Sequence, residues 1–378
     1  MRSLCPSRCD DSDGEDAEPL EWRVCVGGRG VVGAEPGGPA LTADGRAGRA
    51  PSYVYQLPAE PGVYRFRDVR DRALYIGRTA DLRRRVPSYW GSLRDRRHLR
   101  RMVPNVARVE ALVCASEHEA AWLERNLLEQ RKPRWNRSRG GQELPVYIRL
   151  TERSASAALS IVHEGMADPD GRMFGPYLGG RKVRLAVSAL HRVLPLAYAG
   201  DRLTGSERDM ARALGVSQSG RAELVGAVTA VLYRDPNAVA AVRDQLVSRR
   251  DDAAAALLFE LAARIQAEID AVEWVVAAQR ATLPEPARAD VYGWADGILV
   301  GFQVREGRLR EWTQRYCGES TATALVAATP APWQHFAQRN AELAARLTRA
   351  QAQAAANAGS TVEARVLAPT TSETLPSV

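Results

Sequence analysis

Short apolar and aromatic runs over Gly62 to Phe66 and Ala73 to Gly77, with the charged turn Arg67 to Arg72 between them, predict a β-hairpin. An arginine-rich helix is expected from about Ala80, a third strand over Val109 to Cys114, and a second helix from Glu117 to Gln130. That helix has a start signal, Ser116 as N-cap with Glu119 three residues on, the pattern of a capping box. Pro133 stops it, because the residue before a proline is pushed out of the helical region. Farther along, helical periodicity covers Gly180 to Val193 and Glu223 to Tyr233. A helical pair follows, Asn237 to Ser248 and Asp252 to Ala278, broken near Arg249 to Asp251. The character changes at Pro284 to Pro286. Strand patterns then occupy Val291 to Trp294, Ile298 to Val304 and Arg308 to Thr313, and a last helix runs from Trp333 to Gln353. The fold class is therefore α/β, with a small three-stranded antiparallel sheet and flanking helices, then a mainly helical region and a short β-hairpin.

Composition adds limits. The 378 residues, 45% of them hydrophobic, suit two or three small domains. No run approaches the roughly 18–20 apolar residues of a membrane helix, and the N-terminus lacks a secretory apolar core, so no membrane partner and a cytoplasmic location are expected. Residues 1 to about 50 join an acidic run (Asp10 to Glu18) to a Gly-rich stretch, a composition that buries too little apolar surface to offset chain entropy. The formal net charge of +7 is mild, but its distribution is not: nine arginines face only Asp81 and Asp95 between Arg78 and Arg101. Such a run is either a solvated helix face or a phosphate-binding surface. Five cysteines, an odd number without paired spacing, argue against a disulfide framework and a zinc site.

The candidate chemistry is concentrated between Pro61 and Asn136. In order come Gly62-Val63-Tyr64, Tyr75-Ile76-Gly77-Arg78, Asp81-Leu82-Arg83-Arg84-Arg85, Glu124 and Pro133-Arg134-Trp135-Asn136. Taken together, these blocks resemble the GIY-YIG nuclease domain, and more closely the version in the UvrC family of excision-repair nucleases. On a helical wheel Glu124 falls within about 20° of the centre of the stripe Ala120, Ala121, Leu123, Leu127 and Leu128. A carboxylate there is costly unless paired or coordinated. It is either a buried glutamate satisfied by Arg78 or Arg85, or, as the resemblance implies, the ligand of one Mg²⁺ or Mn²⁺ ion. Strand tyrosines are ordinarily packing residues, but the resemblance assigns Tyr64 and Tyr75 to the site, Tyr75 as the residue that activates or orients the attacking water. A phenol titrates near pH 10 and acts as a base only beside cations, for which Arg78 and Arg85 are suited. Asn136 is either a loop residue at a helix terminus or, as the resemblance implies, the residue that closes the constellation by holding its geometry. Arg83, Arg84, Arg94, Arg96, Arg97, Arg100 and Arg101 are the candidate phosphate contacts on double-stranded, damaged DNA.

The resemblance continues more weakly to Thr313. It divides the chain into a disordered leader (1–56), the nuclease domain (57–139), a linker with the block Phe174-Gly175-Pro176-Tyr177 (140–200), a helical region (201–283), strands like the start of the family's second, RNase H-like nuclease domain (284–330), and a C-terminal helix and tail (331–378). The helical hairpin near Phe259 resembles the segment by which the family docks a damage-recognition helicase, although Gln266 and Ala267 stand where an Arg-Asp pair is usual. No cysteine lies in Ala199 to Gly220, so the metal cluster of some relatives is not expected. Pro87 sits one turn after Arg83, which means that the arginine helix ends early or that Arg85 is reoriented. The resemblance implies an endonuclease that nicks DNA on the 3′ side of a lesion, leaving a 5′-phosphate, with one incision per encounter because the second nuclease domain is incomplete. The other readings are a non-catalytic DNA-binding repair adaptor and a stand-alone nuclease acting on foreign or mobile DNA.

Overall fold

The computed structural model of the chain describes residues 50–91, 94–137, 144–153, 156–163, 171–283 and 287–357. The leader to residue 49, the Pro284 to Pro286 break and the tail from residue 358 lie outside the described residues.

Gly62–Arg67 (β1), Ala73–Thr79 (β2) and Arg108–Val113 (β3) form an antiparallel sheet of order β2-β1-β3. Pleating sends Val63, Ile76 and Leu112 to one face and Tyr64, Phe66 and Ala111 to the other. The second face is covered by the 3-10 helix Ser52–Gln56, by Leu82–Arg85 (α1) and by the 3-10 turn Pro87–Trp90. Tyr53, Val54 and Leu57 are buried there, so residues 50–56 of the segment assigned to the leader pack on this sheet. The arginine helix is a single turn. Asp81 caps it by accepting from Arg84 N at 2.9 Å, and the rest of the run, Arg94–Arg101, is 3-10 helix. Pro87 is at the first turn of its own 3-10 helix, where the missing N–H costs nothing.

The first face packs on Glu117–Gln130 (α2). Ser116 Oγ accepts from Glu119 N at 3.0 Å, but the capping box is not reciprocal. Glu119 Oε2 accepts from Ala115 N at 2.6 Å and Oε1 from Arg280 N at 2.8 Å, because a second segment lies against this end of the helix.

Val146–Arg153 (β4), Ser156–His163 (β5) and Gly171–Tyr177 (β6) make a second sheet, order β5-β4-β6, where the sequence suggests a linker. Ile148 pairs with Phe174 and Val146 with Tyr177, so the Phe-Gly-Pro-Tyr block is a strand. Its core is shared with Gly180–Val193 (α3), Arg221–Leu232 (α5), which follows Gly205–Ala213 (α4), and the hairpin Pro236–Ala255 (α6) and Phe259–Val276 (α7). The hairpin breaks at 256–258, not at Arg249 to Asp251. The charged run stays helical because Arg250 reaches Gln266 on α7 and Asp251 beside it, whereas Leu257 takes a left-handed φ of 59° and ends the helix.

Ala289–Ala295 (β7), Ile298–Arg305 (β8) and Arg308–Tyr316 (β9) form a third antiparallel sheet, followed by Glu319–Ala327 (α8) and Ala331–Asn357 (α9). Val300, Phe302 and Trp312 share one core with Val63, Ile76, Leu123 and Leu127, and α9 adds Trp333 and Phe336. Buried Glu110 on β3 accepts from Arg65 at 2.6 Å, Arg67 at 2.9 Å and Arg108 at 2.6 Å. The Arg65 guanidinium lies 4.0 Å from the Trp312 ring centroid and donates to Trp312 O at 3.1 Å, which ties the first sheet to the third. Helix α9 then closes the edge of β3. Asn340 Oδ1 accepts from Val113 N at 2.7 Å, its Nδ2 donates to Val113 O at 3.2 Å, and Gln351 donates to Val109 O at 2.9 Å. These bonds occupy edge groups that would otherwise be open to pairing.

Candidate active site

Strand register assembles the aromatic part of the site. Tyr64 lies opposite Gly77 and Phe66 opposite Tyr75, so three rings and one glycine share a face. A Cβ on Gly77 would stand 2.5 Å from Tyr64 Oη and 2.8 Å from the Tyr75 ring, and one on Gly62 would stand 2.2 Å from Leu112 O. Both glycines are therefore steric requirements, one for the phenols and one for the approach of β3.

A third tyrosine completes the cluster. Tyr64 Oη and Tyr89 Oη are 2.6 Å apart, and the Tyr89 ring centroid is 5.8 Å from Tyr64 and 5.9 Å from Tyr75. Arg85 lies over the Tyr89 ring at 5.0 Å, with Nη2 3.5 Å from its hydroxyl. Closing α1 at Arg85 thus leaves that arginine facing the phenols, and the turn begun by Pro87 folds Tyr89 back beneath the sheet. Nothing in the sequence pattern singles out Tyr89, because its role comes from this fold-back. Burial pushes the Tyr64 and Tyr89 phenols well above the usual range. Tyr75, only partly buried, is also raised: burial dominates, its bond to Tyr89 and the Arg85 charge oppose, and Glu124 adds to the rise. At neutral pH all three are hydroxyls.

Glu124 is half-buried, not sealed in the core, and its Oε2 is 3.0 Å from Arg78 Nε. The wheel misplaces it because α2 is covered on several sides: His118 to Leu123 and Asn126 to Leu128 are all buried, leaving Glu124 and Arg125 in a narrow opening. Burial raises the Glu124 carboxyl and Arg78 pulls it back. Arg78 projects from the strand that carries Tyr75, and the Glu124 carboxylate is close enough to add to the rise of the Tyr75 phenol. Among the described residues there is no group of three or more His, Cys, Asp or Glu side chains fit to hold a metal. A site here has one protein carboxylate, which suits Mg²⁺, an ion that keeps several waters and takes further oxygens from phosphate.

Asn136 is buried beside the outer edge of β2. Its Oδ1 accepts from Ile76 N at 3.0 Å and its Nδ2 donates to Ile76 O at 2.7 Å, as a neighbouring strand would. It fixes the strand on which Tyr75, Gly77 and Arg78 sit. Among the arginines, Arg83 donates to Leu57 O at 2.9 Å and so braces the start of the unit. Arg84, Arg100 and Arg101 are exposed, while the side chains of Arg94, Arg96 and Arg97 lie outside those described.

Residues 60–137 match the family described as the UvrC-like GIY-YIG domain. UvrABC system protein C of Corynebacterium aurimucosum is 29% identical over 290 residues, 71% of this chain and 42% of that relative. A counterpart from Mycobacterium sp. is 35% identical over 271 residues, 67% of this chain and 40% of the relative. The chain thus spans about two fifths of the length of these curated relatives. Among solved structures, the GIY-YIG N-terminal endonuclease domain of UvrC from Thermotoga maritima, bound to magnesium as its catalytic divalent cation, matches at 28% identity with a TM-score of 0.21. The match covers 25% of this chain and 99% of that one. Residues 60–137 are a UvrC-like GIY-YIG domain.

Proposed function

We propose that this chain, which carries a UvrC-like GIY-YIG domain at residues 60–137, is an endonuclease of excision-repair type that hydrolyses a phosphodiester of damaged double-stranded DNA on the 3′ side of the lesion. The observation that carries the proposal is the half-open Glu124–Arg78 pair, whose carboxylate acts electrostatically on the Tyr75 phenol. Glu124 would hold Mg²⁺ or Mn²⁺, which supplies charge neutralisation at the scissile phosphate and favours ionisation of water. Tyr75, a neutral hydroxyl in this environment, orients the attacking water by hydrogen bonding. Arg78 and Arg85 offset the charge that builds on the phosphate oxygens. Tyr64 and Tyr89 fix the Tyr75 ring from behind, and Asn136 fixes its strand. Water oxygen bonds to phosphorus, the bond from phosphorus to the 3′ oxygen breaks, and that oxygen leaves with a proton as the 3′-hydroxyl, giving a 5′-phosphate.

The relatives are named as parts of a UvrABC system, which supports a repair partner for this chain as well. Leu257, Leu258 and Phe259 are exposed at the tip of the α6–α7 hairpin and would dock a damage-recognition helicase. No helix among the described residues is long and apolar enough to cross a membrane. A lesion-bearing duplex, labelled separately at each end and incubated with the purified chain, Mg²⁺ and a damage-recognition helicase, tests the proposal. It should give a metal-dependent cut 3′ of the lesion. Equal cutting of undamaged duplex would instead place the enzyme among nucleases of general or foreign DNA.

A further inference from the structure

We propose that Lys182 and Arg234, with Arg78, form a phosphate-binding track that carries the DNA strand away from the cleavage site across the seam between α2 and the second sheet. This rests on the proposed DNA substrate and extends it to a surface outside the GIY-YIG domain. The seam is built on His118, which is buried on α2 and flanked by Tyr177 of β6 at 5.5 Å and Trp274 of α7 at 4.4 Å between ring centroids. Trp122 Nε1 donates to His118 Nε2 at 3.1 Å and to Pro176 O at 3.2 Å, which locks the helix to the strand.

Cations crown this stack. Lys182 Nζ rides 5.1 Å above the Trp274 ring, and the Glu117 carboxylate that faces it is 3.6 Å away with both side chains half exposed, a pairing weak in water. Arg234 is exposed and takes a left-handed φ of 67°, just after α5 and beside Tyr233, whose ring meets Phe174 of β6 edge-on at 5.2 Å. The His118 imidazole is pushed down to about 3, first by burial and then by the charges of Arg234, Lys182 and Arg78. His118 precedes Glu124 by six residues on α2, about 9 Å of helix rise. That span equals roughly three nucleotide steps at about 3.4 Å each. Lys182 and Arg234 are thus positioned for phosphates a few nucleotides from the scissile one, on the strand that Arg78 holds at the site.

The chain's two lysines, Lys132 and Lys182, make a direct test available. The whole protein, in chelator so that no cutting occurs, is treated with an amine-acylating reagent with and without saturating duplex, and modification is read by mass spectrometry. Lys182 should become at least severalfold less reactive with DNA and recover in high salt. In the Lys182→Gln/Arg234→Gln variant the slope of log affinity against log salt should fall by about two. Nicking at saturating DNA should persist while the half-saturating concentration rises. Lys182 equally reactive in the complex, or an unchanged salt slope, would overturn the track even where the wild type nicks DNA normally. Protection of Lys182 by duplex in a protein that never nicks would instead sink the nuclease proposal and keep the track.

Discussion

Asn136 and Asn340 make the same pair of bonds on opposite edges of one sheet, and this yields a sharp prediction. Asn136 serves both backbone groups of Ile76 on β2, and Asn340 serves both of Val113 on β3. Truncating either to alanine removes the two buried edge bonds and leaves their partners unsatisfied, at about 1–2 kcal/mol per bond, and in Asn340→Ala the bond from Nδ2 to Phe336 O at 3.0 Å goes as well. Each variant should therefore lose about 2–4 kcal/mol, a large share of a typical domain's roughly 5–15. The consequences for the site differ. Ile76 lies between Tyr75 and Gly77 on the strand that presents Arg78, whereas Val113 lies two strands away behind α9. A displacement of about 1 Å at reacting groups can cost about 100-fold in rate. Single-turnover nicking, measured well below either unfolding midpoint, should slow at least about tenfold in Asn136→Ala and change less than about threefold in Asn340→Ala. Urea denaturation supplies the stability half. Equal slowing in both variants would refute the positioning role of Asn136 and point to general loosening. A stability loss below about 0.5 kcal/mol would show that the edge bonds are not held in solution.

Other outcomes follow from the charges. Burial alone would raise the Glu110 carboxyl, but Arg65, Arg67 and Arg108 outweigh it and hold it down at about 2, against an ordinary 4.5. The stabilisation, about 3 kcal/mol, is complete above the unfolded value and is lost as pH falls from about 4.5 towards 2. Glu110→Gln should cost about 3–5 kcal/mol at neutral pH by leaving buried Arg65 without its partner, and an unchanged urea midpoint would contradict this. Glu124 is raised by burial against the pull of Arg78, so nicking should fail on the acid side at a higher pH than for an ordinary glutamate. Arg78→Ala should move that limb higher still, and a limb that stays put would separate the pair from the reaction. Tyr75→Phe and Arg85→Ala should each slow single-turnover cleavage while DNA affinity stays within a few fold; lost binding at an unchanged rate would make them substrate contacts instead.

The sequence makes some of this legible for physical reasons. Helix α2 is readable to its ends because Ser116 caps it and Pro133 stops it, and the hairpin of β1 and β2 because two short apolar runs and the charged turn between them are local signals. The second sheet has a signal too, since Val146, Ile148 and Leu150 recur at period two and are buried, yet the apparent linker role of the segment hides it. The α6–α7 turn is misplaced when Arg249 to Asp251 are taken as a breaker, although long charged side chains are good helix formers and the real stop is a left-handed leucine. Tyr89, the half-open setting of Glu124, and the crossing of α9 to β3 depend on contacts between distant segments. A helical wheel cannot anticipate a helix covered on several faces at once.

The central claim is that the Glu124 carboxylate works with a divalent cation to cut a phosphodiester, and the most direct test is nicking of supercoiled plasmid by Glu124→Gln beside the wild type. The side chain keeps its shape, and Arg78, itself half exposed, can turn to water, so the variant's urea midpoint should correspond to a change within about 1 kcal/mol. The wild type should convert plasmid to open circles with Mg²⁺ and stop in chelator, while the folded variant should show at most about one thousandth of that rate. A folded Glu124→Gln protein that nicks at the wild-type rate, or a wild type indifferent to chelator, would contradict the account.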